Sequence, residues 1–163
     1  MKKEAFDPIE RYSREQMAKL GLHAWPHVQR VLHLCTEISQ LEGKNATVDS
    51  DVLRIAALLH DVAKHMEKEE GSLDHGDTGA SMAESFLKSI GFKEEKIRSV
   101  CHAIRVHTPR EEPTSVEARI FHDADFLDKL GAVGIATIFV KACLTNTTIE
   151  EVAEAFDAEN PRQ

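Results

Sequence analysis

Glycine, proline and capping residues divide this sequence into segments of helical length. Asp7-Pro8 marks the start of a first helix and Gly21 its end, since proline is favoured in the first turn and glycine just past the last. No Asn-Gly or Asp-Gly hairpin turn occurs, and no segment alternates at period two, as a half-buried strand does. The pattern predicts helices over about 7–21, 24–41, 49–64, 77–90, 94–107, 115–130, 131–144 and 148–156. We therefore expect an all-α fold, a single bundle of about seven or eight helices.

Length and composition predict one globular domain. The 163 residues fit one domain better than two, and 42% apolar with 29% charged residues is usual for a globular protein. Three cysteines without CxxC spacing, Cys35, Cys101 and Cys143, are expected to be reduced core residues. The N-terminus lacks an apolar run, and the longest apolar stretch, 131–140, is shorter than the ~18–20 residues that cross a bilayer. We expect a cytoplasmic protein that does not enter a membrane.

The charge balance limits the partners. With 20 Lys+Arg against 28 Asp+Glu, the formal charge is −8. A protein that binds a phosphate backbone needs a clustered basic surface, so we expect no nucleic-acid polymer as partner. A small anionic substrate remains compatible, because local charge and bound metal decide what enters a pocket.

A histidine and an aspartate follow the most apolar part of the third predicted helix. His60-Asp61 come directly after the five apolar residues 55–59. Burying an imidazole and a carboxylate together is costly unless they are paired or bind a cation. A divalent metal would resolve this, since both groups are good ligands for first-row ions. The alternative is a surface pair at a helix C-terminus.

Two other polar residues interrupt apolar helix faces. Asp125 borders the apolar stripe of the predicted 115–130 helix, where the alternative is a solvated acidic edge. His27 lies on the helix face of Val31 and Leu34, and Arg30 follows it by one turn. A hydrogen-bonded core histidine is the alternative there.

In the order His27, His60-Asp61 and Asp125, the sequence resembles the HD superfamily of metal-dependent phosphohydrolases. Five local blocks share the resemblance, at 23–31 (HAWPHVQRV), 58–64 (LLHDVAK), 74–80 (DHGDTGA), 100–107 (VCHAIRVH) and 123–136 (DADFLDKLGAVGIA). The resemblance is greatest to small stand-alone HD hydrolases, which include nucleotide pyrophosphohydrolases. It implies a single HD phosphohydrolase-like domain over 1–163, with a core at about 23–142.

The resemblance also implies roles for individual residues. The metal ligands would be His27, His60, Asp61 and Asp125. The cofactor would be one divalent ion of Mn, Mg, Co, Ni or Fe, with a second ion as the open alternative and Asp61 as its bridge. The second-site candidates are His75 and His107, with His102 as the alternative to His107; the same three histidines could instead contact substrate.

Two basic residues lie one helical turn from proposed ligands. Lys64 is four residues after His60, and Arg30 is three after His27, so each falls on the same helix side as its ligand. Lys64 stands where some HD nucleotidases carry an acidic residue, which favours a phosphate-contacting cation. Phe126 stands where close relatives often have Arg.

We expect hydrolysis of a phosphate ester or anhydride in a small phosphorylated, nucleotide-like substrate by a metal-activated water. Asp61 and Lys64 would be the catalytic residues, and Arg30, Lys64, His75, His102 and His107 the substrate-binding ones. The alternatives are a cyclic nucleotide or dinucleotide phosphodiesterase, an iron oxygenase, a non-catalytic regulatory module that binds metal or ligand, and a structural metal protein.

The predicted helix at 131–144 is apolar on nearly all sides. We interpret it as a central core helix. A homodimer interface is the alternative.

Overall fold

The structure, a computed structural model, describes residues 6–20, 24–42, 47–66, 74–108, 112–152 and 154. Within these ranges it contains seven α-helices with defined bounds, one 3₁₀ segment and no β-strand, and residues 64–66, 149–152 and 154 are also helical. The helices are α1 (Asp7–Met17), α2 (Ala24–Glu42), α3 (Ser50–Leu59), α4 (His75–Ser89), α5 (Glu94–Arg105), α6 (Val116–Asp128) and α7 (Gly131–Thr145), and the 3₁₀ segment is Ala18–Leu20. The all-α prediction is confirmed. None of the described helices is long and apolar enough to span a membrane.

The chain divides into two compact units, Met1–Asp125 and Phe126–Gln163. All the candidate site residues belong to the first unit. That the whole chain forms one domain stays a prediction.

Helix α3 is the central element of the first unit. It contacts α1, α2, α4 and α5, and seven of its ten residues are buried. A helix with so many buried apolar residues is stable only where other elements surround it. Polar residues that directly follow its last turn therefore lie inside the protein rather than on its surface.

Two helix starts explain where the site residues lie, and one differs from the prediction. Asp49 caps α3 as expected, accepting hydrogen bonds from the backbone N–H groups of Asp51 and Val52 at 3.0 and 3.3 Å. The cap of α4 is Asp74 rather than Asp77, since the Asp74 carboxylate accepts from the N–H groups of Gly76 and Asp77 at 2.7 and 3.1 Å. Helix α4 therefore begins at His75, two residues before the predicted start at 77.

The cap of the first helix lies one residue before Asp7, which marks the start of this helix in the sequence. Its N-cap is Phe6, and Asp7 is already helical. Proline lies in the first turn as predicted.

In the second unit, α7 is more exposed than a core helix. Val133, Ile135, Phe139 and Val140 are between 45% and 56% exposed, and Leu144 is 80% exposed. The interpretation of α7 as a helix buried on all sides is therefore wrong, and the homodimer interface stays a prediction. Beyond α7, Thr148 and Glu151 form a capping box at the start of the predicted 148–156 helix, with each side chain accepting from the other residue's N–H group.

Candidate metal centre

The His60-Asp61 pair lies in a tight turn that follows α3, not within the helix as the sequence predicted. Helix α3 ends at Leu59, and the next backbone hydrogen bonds join residues three apart: Val62 N–H to Leu59 O at 3.3 Å, Lys64 N–H to Asp61 O at 3.0 Å and Met66 N–H to Ala63 O at 2.9 Å. Such i to i+3 bonds form a narrower turn than the α-helix. The turn carries His60, which is fully buried, and Asp61, which is 4% exposed.

The ring of His60 is oriented by the end of its own helix. Its Nδ1 lies 3.0 Å from the carbonyl oxygen of Ala57, an acceptor that the last turn of α3 leaves available. A neutral imidazole that donates from Nδ1 has its lone pair on Nε2. This lone pair is therefore directed toward the centre of the candidate site.

Four donor atoms from α2, the turn after α3, and α6 surround one point. His27 Nε2 lies 3.2 Å from both His60 Nε2 and Asp125 Oδ1, and 3.8 Å from Asp61 Oδ2. His60 Nε2 lies 3.5 Å from Asp61 Oδ2 and 3.8 Å from Asp125 Oδ1. The His27 side chain is 18% exposed and the Asp125 side chain 4%. The structure thus brings together the four residues that the family resemblance implied as ligands.

A second group of donors lies on the other side of Asp61. His75, in the first turn of α4, has its Nε2 3.2 Å from His107 Nε2 and 3.8 Å from Asp61 Oδ1. His107 Nε2 is 4.0 Å from the same oxygen. The His107 ring repeats the arrangement of His60, because its Nδ1 bonds the carbonyl oxygen of Ile104, three residues earlier. Asp61 thus directs one carboxylate oxygen toward each histidine pair.

The electrostatics favour charged Asp61 and neutral His107. Burial by itself would raise the pKa of Asp61, but the Lys64 ammonium and the His60 ring outweigh it and hold the pKa well below its usual range. Burial, together with the neighbouring His60, lowers the pKa of His107 to about 3. Ionised carboxylates and neutral imidazoles are the forms that coordinate metals.

Both groups of donors fit a divalent ion. Atoms that share one ion at bond lengths of about 2.0–2.2 Å lie about 3 to 3.5 Å apart in neighbouring positions. The separations of 3.2–3.8 Å in the first group are close to this range. Lone pairs of imidazoles and carboxylates that converge in a buried space repel one another unless a cation lies between them. Two sets of three residues could hold an ion: His27, His60 and Asp61, and Asp61, His75 and His107.

The basic residues lie differently with respect to this centre. Lys64 Nζ contacts both oxygens of Asp61, at 3.2 and 3.1 Å, and its side chain is 40% exposed. It therefore has access to both the centre and the solvent. Arg30 lies half-buried on α2, one turn after His27.

The structure separates His102 from the cluster. Its Nε2 accepts from the backbone N–H group of Thr114 at 3.4 Å and lies 2.9 Å from the Thr114 hydroxyl. Of the two histidines that the sequence left as alternatives, His107 is the one beside Asp61. The reason is that α5 ends at Arg105, so His107 leaves the helix and turns toward the centre.

The remaining histidines lie elsewhere or outside the described residues. His122 contacts Asp123 at 3.4 Å, His65 lies 3.5 Å from Lys19 Nζ, and His33 is exposed. His23 lies outside the described residues.

Two supporting residues had no assigned role in the sequence analysis, where Gly79 appears only within the 74–80 block and Ser13 does not appear. A Cβ atom on Gly79 would lie 3.0 Å from the carbonyl oxygen of His60, so α4 approaches the turn closely only because this residue is glycine. Ser13, in the middle of the buried face of α1, donates its hydroxyl to the carbonyl oxygen of Leu58. A serine on an otherwise apolar helix face, between Ile9 and Met17, was the signal that could have identified it.

The chain matches a known protein family and is similar in sequence to several known proteins. The HD domain family matches residues 25–130. YpgQ of Bacillus subtilis is 33% identical over 128 residues, which cover 74% of this chain and 57% of YpgQ. Ribonuclease Y of Campylobacter hominis is 36% identical over 111 residues, which cover 68% of this chain and 19% of that enzyme. The chain thus spans little more than half of YpgQ and about a fifth of ribonuclease Y.

Solved structures have the same fold. A predicted HD superfamily hydrolase from an uncultured Thermotogales bacterium superposes with a TM-score of 0.69 at 33% identity, over 93% of this chain and 86% of its own. The crystal structure of YpgQ in complex with ADP superposes with a TM-score of 0.68 at 26% identity, over 96% of this chain and 78% of its own.

Proposed function

Because the chain belongs to the HD domain family, we propose that it is a metal-dependent phosphohydrolase that cleaves a phosphate ester or anhydride of a nucleotide-like small molecule. The observation that carries the proposal is the convergence of His27, His60, Asp61 and Asp125 on one point, with the Lys64 ammonium beside it. A cationic side chain beside a metal-binding set can stabilise a phosphoryl group, because the negative charge of that group is spread over several oxygens.

The roles of the residues follow from the geometry. His27, His60, Asp61 and Asp125 would hold the ion. When bound, a divalent ion supplies Lewis acidity and an activated water at neutral pH. Lys64 would contact a phosphoryl oxygen of the substrate, since its half-exposed side chain has access to both the centre and the solvent. Arg30, one turn from His27, would contact a more distant phosphate.

The donor set favours certain metals. Imidazole suits Fe, Co and Ni and carboxylate suits Mn, whereas Mg prefers oxygen ligands and retains its water. Two of the four proposed ligands are imidazoles, so we propose Mn, Fe, Co or Ni ahead of Mg.

A second ion is part of the proposal. Asp61 Oδ1 with His75 and His107 would bind it, and Asp61 would bridge the two ions. Without a second ion, His75 and His107 would instead contact the substrate. Metal analysis of the purified protein distinguishes these alternatives: two ions per chain would support the second site, and one ion per chain would support the substrate contacts.

A nucleotide is the substrate that the comparisons support best. YpgQ, a relative of the same fold, is known in complex with ADP. The similarity to ribonuclease Y suggests RNA as an alternative substrate, but the formal charge of −8 opposes binding of a polyanionic chain.

A substrate screen tests the proposal. Metal-stripped protein is supplied with Mn, Mg, Co, Ni or Fe and offered nucleoside mono-, di- and triphosphates, cyclic nucleotides, cyclic dinucleotides and a short RNA. Release of phosphate or pyrophosphate from a nucleotide is expected. Ring opening or RNA cleavage alone would instead identify a phosphodiesterase.

Asp61→Ala is the matching variant, because Asp61 belongs to both groups of donors. It should lose metal retention and hydrolysis, while the far-UV circular dichroism stays helical. Asp123→Ala is the control, since that exposed carboxylate lies on α6 two residues before Asp125. Metal-dependent hydrolysis by purified Asp61→Ala protein would refute the assignment.

A further inference from the structure

Ser13 is a polar residue in the apolar interface between α1 and α3. It is fully buried, and Ile9 and Met17, one turn away on either side, are buried as well. A buried hydroxyl is tolerated where it is hydrogen-bonded. Its partner is the backbone carbonyl oxygen of Leu58, the next-to-last residue of α3.

The bond to Ser13 involves the carbonyl group that would continue α3. In an α-helix the oxygen of Leu58 would accept from the N–H group of Val62, four residues later. Val62 instead donates to Leu59 at 3.3 Å, which is the i to i+3 pattern. The Leu58 oxygen therefore accepts from the Ser13 hydroxyl, while the Val62 N–H group bonds Leu59 instead, at the point where the helix gives way to the tight turn.

The tight turn decides where Asp61 points. Each residue rotates the chain by about 100° in an α-helix and about 120° in a 3₁₀ turn. Asp61 directs one oxygen toward His60 at 3.5 Å and the other toward His75 at 3.8 Å. If residues 60–62 continued α3 as an α-helix, the Asp61 carboxylate would be displaced. It could then no longer direct one oxygen toward each histidine pair.

We propose that Ser13 is a positioning residue of the metal centre: by occupying the Leu58 carbonyl it ends α3 and keeps the His60-Asp61 turn in its metal-binding geometry. This inference rests on the proposed function, because it requires that the centre binds a metal. Ser13 itself lies on α1, which contributes none of the proposed ligands.

The test compares three variants by calorimetric titration of the stripped protein with Mn²⁺. Ser13→Ala removes the hydroxyl and should weaken Mn²⁺ binding by about tenfold, the lower end of what loss of a ligand-orienting partner costs. Ser13→Cys, of nearly the same size and with a weak donor, should bind with intermediate affinity. Ile9→Val removes a methyl group from the same buried face, leaves the hydroxyl in place and should bind Mn²⁺ as the wild type does.

Two further measurements distinguish positioning from stability. Urea unfolding ranks the three variants, so that any loss of affinity can be compared with loss of stability. The visible spectrum of the Co²⁺-loaded protein reports ligand geometry, and it should change in Ser13→Ala but not in Ile9→Val.

The outcomes are distinct. Failure of the wild type to bind any divalent ion would refute the proposed function. Wild-type affinity and an unchanged Co²⁺ spectrum in Ser13→Ala would refute the role of Ser13 alone. An equal loss of affinity in Ile9→Val would also refute it, since packing of α1 would then be the cause.

Discussion

Lys64 contacts Asp61 and is also exposed to solvent, so its contribution can be separated from that of the ligands. Lys64→Ala should lower kcat/KM by roughly 100-fold, the lower end of what loss of one preorganised contact to a transition state costs. The metal content should not change, because the proposed ligands remain. Steady-state kinetics and metal analysis measure the two effects. Lys88→Ala is the control, since Lys88 pairs only with the exposed Glu84 and Glu94 among the described residues. Loss of metal in Lys64→Ala would contradict the proposed role of Lys64.

The three cysteines should differ in reactivity. Burial, with the Asp125 charge adding to it, raises the pKa of Cys35 to about 12, and burial raises that of Cys101 to about 11. Cys143 is exposed, so the prediction that it is a core residue was wrong. Since the thiolate is the reactive form, Cys35 and Cys101 should resist a thiol reagent at pH 8, whereas Cys143 should react. We expect one fast-reacting thiol in the folded protein and three in denaturant. A fast phase that persists in Cys143→Ser would contradict the described burial.

At the level of single residues, the sequence predicted candidate ligands where a polar group interrupts an apolar pattern. His27, His60 and Asp125 stand out in this way, and the structure brings them together. The sequence favoured His107 but kept His102 as the alternative, because the choice depends on where α5 ends. Ser13 was missed because its partner is a backbone carbonyl on another helix, which no residue type reveals.

Among the elements, α4 approaches the turn after α3 closely at Gly79. Gly79→Ala would place a Cβ atom 3.0 Å from the His60 carbonyl oxygen. Alanine normally stabilises a helix interior by about 1 kcal/mol over glycine, but overpacking costs about 1–3 kcal/mol. We expect a net loss of about 1 kcal/mol in urea unfolding, together with weaker metal binding.

Ser81→Ala, on the exposed side of the same helix, is the control for Gly79→Ala and should be close to neutral. A gain of about 1 kcal/mol in Gly79→Ala, as helix propensity alone predicts, would show that the turn yields to the extra methyl group.

Helix boundaries show why the elements were only partly predictable. The starts of α2 and α3 follow local signals, and both were predicted within a residue. The end of α3 depends on a contact from α1, so the sequence extended the helix by five residues. The start of α4 was assigned to Asp77 because two aspartates precede the same apolar pattern, and only backbone geometry selects Asp74.

For the whole molecule, metal binding should be a large part of stability. The proposed ligands come from α2, α6 and the turn after α3, so an ion would join segments far apart in sequence. A ligand at 100 times its Kd adds about 2.7 kcal/mol, which for a chain of this size corresponds to about 5–10 °C in Tm. Thermal melts of EDTA-treated protein with and without Mn²⁺ measure the shift. It should be absent in Asp61→Ala, and an equal shift there would place the ion elsewhere.

The single carboxylate of Asp61 has a consequence for how ions load. Each of its oxygens faces a different histidine pair, so two ions would have to share one negative charge. The first ion to bind neutralises much of the attraction available to the second, and the coupling free energy between the two sites is unfavourable. Loading should therefore be stepwise and negatively cooperative, and the concentration of free metal would determine which form of the protein is present.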